Sequence, residues 1–188
     1  MDDQLKLIRG KRIQQQLDTI TEDSTYDELF RDIVGGFPNT AARQNATNPV
    51  QVSNVKYVAY QPNGILKVQA EASSNGHKYQ PTILFQNVDY TGEGVPGSTT
   101  FRGTGGEHHI EPIDLNHSTV KVRCTCLDFY HRFSQHNQND GSLAGSPMPP
   151  YQKKPGSNRP PVNPKRVPGV CKHLIKMVQM LRQLKIVK

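Results

Sequence analysis

Residues 119–126, TVKVRCTC, decide how this chain folds. Val120 and Val122 alternate with Lys121 and Arg123, which is the two-residue period of a half-buried strand. On that period Cys124 and Cys126 fall on one side, so both thiols can reach a single ion. Their counterpart lies downstream in residues 169–174, GVCKHL, where Cys171 and His173 open a stretch of helical periodicity. Leu174, Met177, Val178, Leu181 and Leu184 recur there at helical spacing with Lys and Arg between them, which predicts a terminal amphipathic helix whose apolar stripe faces the core.

Four nitrogen and sulfur donors with no carboxylate form the donor set of a closed, tetrahedral structural zinc site, with Zn–S about 2.3 Å and Zn–N about 2.0 Å. A helix N-terminus beside Cys171 further favours thiolate over thiol. The chain has three cysteines and all of them sit in these two clusters. The plainer alternative is that they are buried merely as small apolar residues. An odd count argues against a secreted disulfide scaffold and for folding in a reducing cytoplasm. Structural zinc supplies folding free energy on the order of 10 kcal/mol. This composition calls for such help, since only 34% of residues are apolar, Trp is absent, and there are 15 glycines and 14 prolines.

The pair CTC and CKH is similar to the SWIM-type zinc finger, C-x-C-x(n)-C-x-H, in which two strands and a helix hold one zinc ion. The resemblance covers roughly residues 118–185 and implies Cys124, Cys126, Cys171 and His173 as ligands. It also implies a role in DNA binding or protein interaction, with no catalysis at the metal. The 44 residues between Cys126 and Cys171 make a long insertion. More loosely, VRCTCLDFYHRF and RPPVNPKRVPGVCKHL resemble segments of uncharacterised virion structural proteins of large tailed bacteriophages. That likeness implies a virion component, folded in the host cytoplasm and docked on neighbouring protein subunits.

Upstream of the strand, Val55, Tyr57 and Ala59 alternate up to a turn at Pro62-Asn63-Gly64, and Leu66, Val68 and Ala70 alternate after it, which reads as a β-hairpin. A second turn at Ser73-Ser74-Asn75-Gly76 leads to a third strand over residues 79–88, with Pro81 near its start. An antiparallel meander follows. Residues 91–106, rich in Gly and Thr, read as a long loop, and residues 109–115 as renewed strand. Further back, Leu5, Leu7, Ile8, Ile13, Leu17 and Ile20 outline one helix. Ser24 or Thr25 caps a second, carrying Leu29, Ile33 and Val34 and stopped by Gly35-Gly36. Residues 37–48 read as a linker or surface arm.

The formal charge of +7 is unevenly placed: residues 151–188 hold ten Lys or Arg and no Asp or Glu, leaving −3 over the rest. Concentrated positive charge suits a polyanion such as nucleic acid, or simply a solvated face. The proline-rich stretch 135–169 reads as extended and free of helix. Its Lys153, Lys154, Arg159, Lys165 and Arg166 are candidate contacts to phosphate or to a partner subunit. In LDFYHRF, residues 127–133, Leu127, Phe129 and Phe133 are expected to roof the zinc while the polar side chains face water. Tyr130, His131 and Arg132 stacking on bases is the alternative. His108, His109, Asn116, His117, His131 and His136 raise an HNH-nuclease reading with His109 as general base, against which stand the C-x-C spacing and the lack of a placed second carboxylate. No stretch approaches the roughly 20 apolar residues of a membrane span, and the acidic start MDDQ is not that of a secretory signal.

Together these readings predict an α+β protein with an antiparallel β-sheet, N-terminal helices and a C-terminal strand-strand-helix zinc unit. Its expected segments are residues 1–48 (helices and arm), 49–117 (β-rich core) and 118–188 (zinc module with the insertion 135–169). The expected function is non-enzymatic binding or assembly.

Overall fold

The computed structural model describes residues 24–36, 46–152, 154–158 and 160–188. The helix expected on residues 5–20 and most of the arm expected on 37–48 lie outside these residues. The architecture is α+β, with helices against antiparallel sheets. Helix α1 (Tyr26–Gly36) starts where the sequence places it. The Glu28 N–H donates to Thr25 Oγ1 at 3.3 Å and the Thr25 N–H donates to Glu28 Oε2 at 2.8 Å, a reciprocal cap that satisfies two otherwise orphaned amides. Thr25→Ala is therefore expected to cost about 1 kcal/mol, read as a lower urea midpoint at unchanged slope. Tyr26, Leu29 and Ile33 are buried, whereas Val34 lies on the outer face and is half exposed.

Strands β1 (Gln51–Tyr60) and β2 (Ile65–Ser74) form the expected hairpin. Its connection is one 3₁₀ turn (Gln61–Asn63) closed by Gly64, whose φ of 59° is the left-handed conformation that glycine adopts freely. The other edge of β2 pairs with two short strands in line, β3 (His77–Tyr79) and β4 (Thr82–Phe85). They are the expected third strand, broken at Pro81, which has no N–H to give the ladder. Beyond β4 lies β8 (Val120–Arg123), as TVKVR requires. The register places Val68 opposite Ile83 and Ile83 opposite Val122, with Leu66, Phe85 and Val120 in the next row. All six are fully buried, while Ile65, Lys67, Gln69 and Glu71 on the alternate face of β2 are only half-buried.

Residues 91–106 are not one long loop. A second sheet of β5 (Tyr90–Thr91), β6 (Thr99–Gly103) and β7 (Gly106–Ile110), in the order β5-β7-β6, occupies this region. Thr99, Thr100 and Phe101 favour strand, and Gly105 and Gly106, both at positive φ, close a tight hairpin. The strand expected over 109–115 accordingly begins earlier and ends at Ile110. Phe101 packs on Tyr57 at 5.1 Å between ring centroids and joins the two sheets.

After β8 come α2 (Leu127–Arg132) and α3 (Ser134–Asp140). Helix α3 corrects the expectation that residues 135–169 contain no helix. The prolines of that stretch begin only at Pro147, and Gly141 at φ 87° ends the helix before them. The chain then runs beside β8 on the edge away from β4, with Leu143 bridged to Val122. Helix α4 (Lys172–Gln183) covers β1 and β2. Leu174, Met177 and Leu181 are fully buried, each contributing about 1.5–3 kcal/mol by leaving water. Leu184 falls past the helix end and is half exposed, against the expectation that it belongs to the core stripe. One apolar cluster joins α1, the sheets and α4, so the three segments outlined by the sequence share a core.

Candidate metal centre

Cys124 follows directly on β8, and Cys126 is the N-cap of α2 in extended conformation, φ −75° and ψ 148°. The two thiols converge across a strand-to-helix turn instead of along one continuous strand. The Phe129 N–H donates to Cys126 Sγ at 3.3 Å, which fixes that sulfur at the helix start. On the other side Cys171 caps α4, also extended, and His173 lies in its first turn. The four donor atoms of Cys124, Cys126, Cys171 and His173 lie within 4.8 Å of one another, and all four residues are buried. His173 Nδ1 is 3.8 Å from Cys124 Sγ and 3.9 Å from Cys171 Sγ. A tetrahedral ion with bonds of about 2.3 Å to sulfur and about 2.0 Å to nitrogen has N···S edges of about 3.5 Å, so these separations lie within a few tenths of an ångström of those for ligands of one ion.

Burial and mutual hydrogen bonding set the three thiols apart, and burial outweighs the helix N-terminus at Cys171. Hydrogen bonds from Cys124 and then Cys171 hold the Cys126 thiol well below its ordinary range. The Cys124 thiol is pushed up by its hydrogen bond to Cys126, and the Cys171 thiol chiefly by burial. Three buried thiolates repel one another, so full deprotonation of the cluster requires a compensating cation. The His173 ring packs on Tyr79 at 4.4 Å between centroids. Its Nε2 is buried without a hydrogen-bond partner among the described residues.

Phe129 and Phe133 are fully buried, Phe129 with its N–H on Cys126, but Leu127 is 69% exposed and does not roof the cluster. Helical periodicity explains this, since turning Phe129 inward at the start of α2 leaves Leu127 on the outer side. Arg132 is likewise not in water. Its Nε pairs with Asp128 Oδ1 at 2.8 Å, and its guanidinium sits 4.5 Å from the Phe133 ring centre.

Two asparagines missed in the sequence hold the insertion against this unit. Asn137 Nδ2 donates to the Gly169 carbonyl at 3.1 Å, and the Gly169 N–H donates back to Asn137 Oδ1 at 2.9 Å. Asn163 Nδ2 donates to the carbonyls of Arg132 and Val167 at 2.8 and 2.7 Å. An Asn-Pro dipeptide is a turn signal that marks Asn163, whereas nothing local marks Asn137. Gly169 also has no room for a side chain, because a Cβ there would meet Ile33 and, at 2.8 Å, Phe133.

Among the basic candidates, Lys154, Lys165 and Arg166 are exposed, and Lys165 Nζ donates to the Gly35 carbonyl at 3.0 Å. Lys153 and Arg159 lie outside the described residues. Three of the histidines behind the nuclease reading have hydrogen-bond or ion-pair partners of their own. His108 uses both ring nitrogens, on Gln61 and the Thr104 carbonyl, His109 meets Thr100 Oγ1 at 2.8 Å, and His117 meets Asp114 at 3.1 Å. Among the described residues, the cysteine–histidine cluster is the one group of three or more closely placed potential metal ligands. Compared with protein-family models, curated proteins and solved structures, the chain matches none of them.

Proposed function

We propose that Cys124, Cys126, Cys171 and His173 hold one structural zinc ion in a SWIM-like arrangement, and that the protein is a non-enzymatic binding and assembly module. The observation that carries this reading is the burial of all four donors within one 4.8 Å cluster. A catalytic zinc keeps a coordination position open to water or substrate, and four protein donors closed inside a core leave none. Zinc at this point supplies a redox-inert cross-link. It ties the exit of β8 and the N-cap of α2 to the first turn of α4, and so closes the intervening insertion into a loop presented on the surface. The loop carries eight prolines and exposed cations, and extended segments of this kind lose little entropy on docking. The resemblance to tailed-phage structural proteins makes a virion the proposed setting and neighbouring subunits the proposed partners.

Elemental analysis of freshly isolated protein is expected to give one zinc per chain, and cobalt substitution the intense visible bands of a tetrahedral thiolate site. Metal-free protein that is fully folded would overturn the zinc reading. Co-purification with particles after nuclease treatment supports the assembly role, and absence from particles rejects it.

A further inference from the structure

The outer side of α2 carries Tyr130 and His131, half-buried, and the insertion brings Tyr151 against them. Tyr151 meets His131 edge to face at 4.3 Å between centroids and Tyr130 at 6.5 Å. Pro161, Pro164 and Arg166 are also among the residues that line a depression of about 310 Å³ here. The slot thus has aromatic rings and rigid proline rings in its walls and a guanidinium in its lining. Its volume is at the lower end of ligand sites, about 300–1,000 Å³, a size for one nucleotide unit more than for a length of peptide.

Charge narrows the ligand class. None of the residues lining the slot is an Asp or Glu, and the chain from residue 151 to the C-terminus contains neither. Arg132 in the wall is already neutralised by Asp128. Arg166 is exposed, and Lys165 adjoins it in the chain. Tyr151 is 44% exposed, a poor use of a large ring if packing were its whole role. The His131 contact holds that ring in place before any ligand arrives, and His131 Nδ1 is a buried polar atom with no partner among the described residues. Flat aromatic surface beside unopposed cations is what single-stranded nucleic acid uses, since every base has a π-face and every linkage an anion.

We propose that this slot receives one base of a single-stranded nucleic acid, stacked on Tyr151, with the adjoining phosphate held by Arg166. Duplex is disfavoured because its bases are already stacked on one another. The site rests on the zinc reading only in that Cys126 caps the helix carrying Tyr130 and His131.

The test is fluorescence anisotropy with the full chain, its zinc content measured alongside, against labelled oligothymidylate, oligouridylate and a duplex. Single strands are expected to bind more tightly than duplex. Tyr151→Ala should weaken them about tenfold and Tyr151→Phe should not. Arg166→Asn, which keeps the left-handed backbone at φ 55°, should weaken binding and lower the salt slope by about one ion. A difference between the two oligonucleotides assigns the site to DNA or RNA. Zinc-loaded protein that ignores single strands, or binds them equally well as Tyr151→Ala, overturns the slot and leaves the metal reading standing. An acidic or proline-rich peptide that binds there in preference to oligonucleotide also overturns it.

Discussion

On the proposed zinc reading, treatment with a strong chelator, or replacing Cys171 by Ser, is expected to unfold the C-terminal half of the protein. The predicted loss is on the order of 10 kcal/mol, comparable with the whole stability of an ordinary domain. The size of the effect follows from position. Cys171 is fully buried and caps α4, and α4 inserts Leu174, Met177 and Leu181 into the core over β1 and β2. Cys126 caps α2, whose Phe129 is fully buried. Without the cross-link, the sulfurs stay behind as buried polar groups near one another, and the start of α4 is held to the end of β8 by apolar packing alone. Protons compete with the ion for the same donors, so acidification should release the metal and produce the same loss. Circular dichroism against temperature, with and without chelator, checks this. An unchanged melting temperature in metal-free protein would refute it.

The second large effect is expected at Asn137, which is fully buried. Asn137→Ala removes two hydrogen bonds and leaves the N–H and carbonyl of Gly169 without their partners. Each stranded group costs about 1–3 kcal/mol, so the variant should lose about 3 kcal/mol in urea denaturation. Asn139→Ala, on the exposed side of the same helix, should stay within about 0.5 kcal/mol of the parent. Equal midpoints for the two variants would show that the asparagine clip does not hold the insertion. The clip matters because Gly169 lies two residues before Cys171, packed where Ile33 and Phe133 leave no space for a Cβ. It sets the path by which the returning chain reaches the cysteine–histidine cluster.

The cysteine–histidine cluster and the hairpin were legible in the sequence because both rest on local chemistry. Cysteine and histidine are recognisable donors wherever they occur, and the alternation of Leu66, Val68 and Ala70 is visible without any partner strand. The terminal helix followed from the same kind of periodicity, although Leu184 left the stripe once the helix ended. Residues 99–103 were missed because two threonines and a phenylalanine among glycines become a strand only when β7 returns to pair with them. Helix α3 was missed because the prolines after it coloured the reading of the whole insertion.

By itself, then, the sequence determined which side chains could bind a metal, which faces of the β1–β2 hairpin and of α4 are apolar, and where positive charge gathers. Tertiary structure alone decided that Leu127 faces outward, that Arg132 is buried on Asp128, that two asparagines clip the proline-rich chain, and that Tyr151 meets His131 over a slot. The physical reason is distance along the chain. Residue type and period are encoded within a few positions, whereas Asn137 and Gly169 are 32 residues apart and acquire their meaning only when the fold brings them to hydrogen-bonding range.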